Sequence, residues 1–218
     1  MSDSLTWSAM GVICGPVTTA QCMAAIRQGE LGHRFPDVRR TVFSRESFTF
    51  GSVFAVGLVV LDHQLTGAPQ MLASAWLAVA GGQLMLVDWV CHRLPTRLVV
   101  ALFGGGVAIF SGAAVHGDET AAFARAVLAA AVVFTAALTT ALVTPRSLGA
   151  GDVRLLGAVA LFLGWFGWPQ VLRGIVFALL LGATVGTVLL ATKRISRGDH
   201  LAFGPAIVGG ALLTLVMP

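Results

Sequence analysis

Apolar stretches of roughly 17–25 residues, each long enough to cross a bilayer as a helix, recur from one end of this chain to the other. They fall near 6–26, 48–65, 71–88, 97–115, 121–143, 154–168, 171–191 and 203–217. A cleavable leader accounts for one such stretch and not for a series. The runs are continuous, whereas the strands of a membrane barrel alternate polar and apolar residues, so the segments are read as helices. The predicted fold class is all-α, a polytopic transmembrane helical bundle of about eight helices forming a single domain over 1–218. Seven is the alternative, because Thr18, Thr19 and Gln21 interrupt the first stretch and the sixth is short for a perpendicular crossing. Composition excludes a soluble domain: 11% of the 218 residues are charged and 56% hydrophobic, against about 25% charged in soluble domains.

The basic residues orient this bundle. The connection 27–46 carries Arg27, Arg34, Arg39, Arg40 and Arg45, the connection 92–97 carries Arg93 and Arg97, 144–154 carries Arg146 and Arg154, and 192–200 carries Lys193, Arg194 and Arg197. The connections 62–70, 116–120 and 167–170 have no Lys or Arg, and Arg125 and Arg173 lie just inside the helices that follow. With eight spans, rich and poor connections alternate. The positive-inside rule then places the rich ones in the cytoplasm and both termini outside. A formal charge of +4 is thus a feature of membrane topology and not of a nucleic-acid-binding surface. The 27–46 connection is read mainly as a topology determinant and solvated loop, the alternative being a surface for a partner or for lipid headgroups. Cys14, Cys22 and Cys91 form no CxxC pair and are read as small buried residues, not as a metal site or a disulfide framework.

Acidic side chains within or beside a span are costly and each needs a reason. Eight of the ten acids fall in the N-terminal tail or in connections. The two that remain are Asp88, in Leu84-Met85-Leu86-Val87-Asp88-Trp89-Val90-Cys91, and Asp152, in Ser147-Leu148-Gly149-Ala150-Gly151-Asp152-Val153-Arg154-Leu155. The charge pattern puts both at the cytoplasmic membrane edge. Local readings exist for each: Asp88 as an interfacial acid paired with Arg93 or Arg97, and Asp152 as a helix-start residue favoured by the helix dipole. Gly149 and Gly151 allow a tight turn and a close approach beside Asp152, as an extended substrate lying against a carboxylate requires. Helix punctuation uses glycine in the same way. Asp62 with His63, and His116 with Asp118 and Glu119, sit in connections on the opposite face and are read as solvated. Gly104-Gly105-Gly106 and the pair Gly182 and Gly186 are read as close helix contacts.

Three blocks together make the chain resemble the type IV prepilin peptidase family, the bacterial branch of the GxGD aspartyl membrane proteases. They are Asp88 with Pro95 seven positions later, Gly149-Ala150-Gly151-Asp152-Val153-Arg154-Leu155, and Phe203-Gly204-Pro205 opening the last span. The sequence departs from the family pattern at Arg154, usually lysine, at Thr96, usually asparagine, and at Ala202, commonly proline. The resemblance implies an aspartic endopeptidase with Asp88 and Asp152 as its catalytic pair, no metal or organic cofactor, and a prepilin or pseudopilin precursor as substrate. It further implies cleavage at the cytoplasmic face of the inner membrane, with Gly149, Gly151, Arg154, Pro95, Phe203, Gly204 and Pro205 in support. Larger family members carry paired CxxC motifs in an N-terminal cytoplasmic insertion and methylate the product. The short cysteine-free 27–46 connection therefore implies a peptidase without N-methyltransferase activity. The competing classes are a small transporter moving protons on intramembrane acids, which predicts ionisable groups deep in the spans, and a non-catalytic pilus or secretion assembly partner.

Overall fold

The computed structural model describes residues 68–91, 94–144, 148–192 and 203–217. These residues form six helices: α1 Ala68–Cys91, α2 Thr96–Gly117, α3 Thr120–Val143, α4 Ala150–Phe166, α5 Trp168–Ala191 and α6 Gly204–Val216. Six spans were expected over this part of the chain, and each has its helix. The stretches 6–26 and 48–65, the connection 27–46, and Cys14 and Cys22 lie outside the described residues. Three helices, α2, α3 and α5, are long and apolar enough to cross a membrane. At 17 residues, α4 is about 26 Å long at ~1.5 Å per residue, short of a hydrocarbon core of roughly 30 Å.

Successive helices run antiparallel, so the bundle has two ends. One gathers the end of α1 and the starts of α2, α4 and α6; the other gathers the end of α2, the start of α3, and the junction of α4 with α5. The core is held by α4, whose run from Leu155 to Trp165 is almost continuously buried. A helix buried on every side reads as uniformly apolar, which is why no single stripe marks it. Around it, Phe110 of α2 stacks on Trp165 at 4.4 Å and meets Phe162 edge-on at 5.7 Å. Such aromatic pairs are worth roughly 0.5–1.5 kcal/mol beyond the area they bury.

Small residues bring the remaining helices together, as expected where lipid supplies no hydrophobic drive between them. Along α3, Ala126, Ala129 and Ala130 are buried against α4. Gly164 of α4 is so close that an added methyl would stand 2.6 Å from the Ala129 Cβ and 3.0 Å from the Ala126 Cα. On α5, Gly174, Ala178 and Gly182 form a buried stripe with a spacing of four, and Gly210 of α6 lies against the Ala178 backbone. Opposite that stripe, Leu172, Val176, Leu179, Leu180 and Val188 are exposed, a surface suited to lipid and costly in water.

The connection expected at 167–170 is a single residue. Gly167 ends α4 with its N–H donated to the Leu163 carbonyl at 3.2 Å, and it also begins α5. Its φ of +131° lies where L side chains are strained, so glycine is required there. Pro169 then occupies the first turn of α5, where a missing N–H costs nothing.

Candidate functional site

Asp88 is aimed inward by the same stripe that packs α1. Leu77, Gly81, Leu84 and Asp88 recur at spacings of three and four, and therefore share one helix face. Leu77 and Leu84 are buried, and Asp88 is only 4% exposed. Gly81 meets Val208 of α6, where an added methyl would stand 2.8 Å from the valine Cγ1. One turn before Val208 lies Gly204, at the start of α6, and its backbone N–H donates to the Asp88 Oδ2 at 2.9 Å. That N–H is one of the donors left without an intrahelical partner at any helix start, so the carboxylate fills a vacancy the fold creates. The approach depends on glycine, because a Cβ at position 204 would lie 2.6 Å from the same oxygen.

Asp152 is the third residue of α4, ahead of the apolar stretch 154–168. Its carboxyl accepts a hydrogen bond from the backbone of Gly149, the N-cap residue, the reach-back of a capping box. Its pKa is pushed up from 3.8 to about 6, first by burial and second by the negative charge of Asp88, with the Gly149 hydrogen bond opposing the rise. The two carboxyls, 64 positions apart in the sequence, are thus close enough for their charges to couple. The local helix-start reading of Asp152 is also correct and coexists with this coupling. Of the two ion-pair partners suggested for Asp88, the Arg93 side chain lies outside the described residues and Arg97 is exposed.

The other expected residues surround this pair. Pro95 is buried as the N-cap of α2, and its carbonyl accepts from Leu98 at 3.1 Å and Val99 at 3.4 Å. Gly151 abuts Leu94, whose Cβ would stand 2.8 Å from an added methyl, so the 94–95 segment is pressed onto the first turn of α4. Leu94 was not singled out from the sequence, since nothing marks a lone leucine beside a proline. Arg154 is exposed and donates from Nη1 to the Thr96 Oγ1 at 2.8 Å. Two of the three departures from the family pattern therefore touch each other. Phe203 caps α6 with its carbonyl, accepting from Ala206 at 3.0 Å and Ile207 at 3.1 Å, while its ring fills the space over Gly182 of α5. Pro205 follows in the first turn of α6, where no donor is needed. Asp88, Asp152, Gly149, Gly151, Arg154, Pro95, Phe203, Gly204 and Pro205 all stand at one end of the bundle.

At the opposite end His116 and Asp118 are exposed, in keeping with solvated connection residues. Asp118 closes α2 in the left-handed conformation, with φ 55°. An apolar cleft between α3, α4, α5 and α6 is lined by Val133, Leu156, Val159, Leu163, Val171 and Ile207 among others. Its lining carries no titratable group, so the cleft offers no proton relay. Among the described residues, no three His, Cys, Asp or Glu side chains converge as metal ligands.

Residues 71–191, more than half of the chain, match the type IV leader peptidase family. That match contains both aspartates and ends before Phe203. Two curated relatives, the prepilin leader peptidase/N-methyltransferases of Burkholderia pseudomallei strains 1026b and K96243, are each 37% identical over 70 residues. The aligned stretch is 32% of this chain and 22% of either relative, so the chain spans well under half the length of the curated relatives it matches. No solved structure gives a significant match. The chain belongs to the type IV leader peptidase family.

Proposed function

We propose that this chain is a membrane-embedded aspartic endopeptidase that removes the leader from type IV prepilin or pseudopilin precursors at the cytoplasmic face of the inner membrane. One observation carries the reading: two carboxyls from separate helices couple electrostatically at one end of the bundle, each fixed by a backbone N–H from a glycine. Membership of a leader peptidase family supports the reaction class. The concentration of basic residues at the end of the bundle that holds the pair supports the orientation. The 27–46 connection, short and without cysteine, supports a peptidase lacking the methyl-transfer activity named for the relatives.

Two carboxyls sharing a site in a low-dielectric surround hold one proton between them. An acid near pH 6 both keeps and releases that proton close to neutrality, as general catalysis requires. In this mechanism Asp152 donates its proton to the oxygen of the scissile carbonyl, while Asp88, oriented by the Gly204 N–H, takes a proton from the attacking water. As the tetrahedral intermediate collapses, Asp88 passes its proton to the leaving amine and Asp152 recovers one from the gem-diol hydroxyl. The C–N bond breaks and the pair is back in its starting state.

The test is co-expression with a pilin-like precursor, following leader removal by mass spectrometry for the wild type, Asp88→Asn and Asp152→Asn at matched membrane levels. Loss of cleavage in both variants upholds the pair. Normal cleavage by either variant removes that aspartate from the mechanism, and an inactive wild type removes the peptidase reading.

A further inference from the structure

Arg125, in the second turn of α3, is far from the aspartates and has no part in the chemistry above. Its guanidinium is spent on the end of another helix. Nε donates to the Gly164 carbonyl at 3.0 Å and Nη2 to the Trp165 carbonyl at 2.6 Å. Both oxygens belong to the last turn of α4, where the final four carbonyls have no intrahelical donor. Gly167 serves a third, that of Leu163. In hydrocarbon an unmet backbone carbonyl costs several kcal/mol. The positive fork also meets the negative end of the helix dipole.

The same last turn is where α3 and α4 pack most tightly, with Gly164 against Ala126 and Ala129. A guanidinium fork reaching two successive carbonyls fixes rotation as well as height, because the two oxygens are offset around the helix axis. Asp152 stands on this same helix, 12 residues before Gly164, or about 18 Å along the axis. An α-helix buried along its length transmits a shift at one end to the other.

We infer that Arg125 is a positioning residue for the aspartate pair: by clamping the last turn of α4 it sets the height and rotation at which Asp152 faces Asp88. This rests on the reading of those two residues as the reacting groups. A misplacement of about 1 Å costs on the order of 100-fold in rate, so Arg125→Ala is expected to slow cleavage roughly 10- to 100-fold at an unchanged membrane level. With the carboxyls moved apart, the rise that Asp88 imposes on Asp152 weakens, and the alkaline limb of the pH–rate profile, where the pair loses its shared proton, moves to lower pH. Arg125→Lys, with a charge but no fork, restores part of the rate.

A second measurement does not need activity. In a chain whose Cys14, Cys22 and Cys91 are changed to alanine, Asp88→Cys and Asp152→Cys are introduced together and joined with a short bifunctional thiol reagent. Adding Arg125→Ala is expected to lower the cross-linking yield several-fold. An unchanged yield overturns the inference, as does Arg125→Ala cleaving with the wild-type rate and pH profile. So does a variant that is merely less abundant, whose surviving protein keeps that profile and that yield. If the wild type cleaves no precursor, the peptidase reading fails, but the cross-link still decides the role of Arg125. If no cross-link forms with Arg125 in place, the pairing of the two positions is itself refuted.

Discussion

Replacing Gly204 with alanine tests the site at its tightest point. The added methyl would lie 2.6 Å from the Asp88 Oδ2, 3.1 Å from Cγ and 3.2 Å from Cβ, where ordinary contact begins at 3.4 Å. The carboxylate, or the first turn of α6, must therefore yield by about 0.8 Å. Asp88 is a short side chain buried to 4% exposure, with little room to swing away. If it moves, it gives up the Gly204 N–H, and a buried carboxylate that loses such a donor costs about 1–3 kcal/mol. The reacting oxygen is displaced by nearly the distance that costs on the order of 100-fold in rate. Cleavage of a precursor in membranes should thus fall by roughly that factor for Gly204→Ala, with membrane level and detergent melting temperature recorded alongside. Gly209→Ala is the control on the same helix, since its methyl would meet only Leu181, at 3.4 Å. If Gly204→Ala cleaves within twofold of the wild type, the hydrogen bond does not orient Asp88 and the mechanism loses its anchor.

Asp152 makes stability depend on pH in a fixed direction. Its folded pKa, about 6, lies above its ordinary value of 3.8, so the folded state binds the proton more tightly and stability declines as pH rises through that interval. Asp152→Asn should accordingly melt higher than wild type at pH 7 and lose that advantage as the pH falls from about 6 to about 4, as read by thermal unfolding in detergent. Gly182→Ala should drive the Phe203 ring off α5 and, through the adjoining Gly204, slow cleavage more than Gly209→Ala does, measured on the same precursor. The exposed Arg154–Thr96 hydrogen bond should be worth no more than about 1 kcal/mol, so a double-mutant cycle of Arg154→Ala and Thr96→Ala on melting should give a small coupling; a coupling of several kcal/mol would show that the bond is shielded from solvent.

The helices were legible because crossing hydrocarbon leaves the backbone no choice but to satisfy itself, and long apolar runs announce that need. The shared end of Asp88 and Asp152 followed from the alternation of arginine-rich and arginine-free connections, which needs no tertiary knowledge. What remained hidden were contacts between residues distant in the chain. Nothing local to Asp88 reveals that its partner donor is Gly204, 116 positions away. Arg125 read only as a stray charge near a helix start, because its partners are two main-chain oxygens about 40 positions on, and backbone carbonyls leave no mark in a sequence. The glycines divide in the same way. Gly104 has nothing within 4 Å of where its Cβ would stand, whereas Gly105 is packed on Trp76 and Gly106 on Phe162, a difference set by which face of α2 turns inward.

The one-residue junction at Gly167 reverses the usual expectation about where a chain tolerates length changes. Inserted residues are generally absorbed at helix connections, but here there is no slack to absorb them. One extra residue between Gly167 and Trp168 would turn α5 by about 100°. Gly174, Ala178 and Gly182 would then swing toward lipid, and the larger side chains of Arg173, Phe177 and Leu181 would be carried into their places. A scan of single-residue insertions should find this connection among the least permissive positions in the protein, while the 116–120 connection, where Asp118 closes one helix and Glu119 begins the next, accepts them.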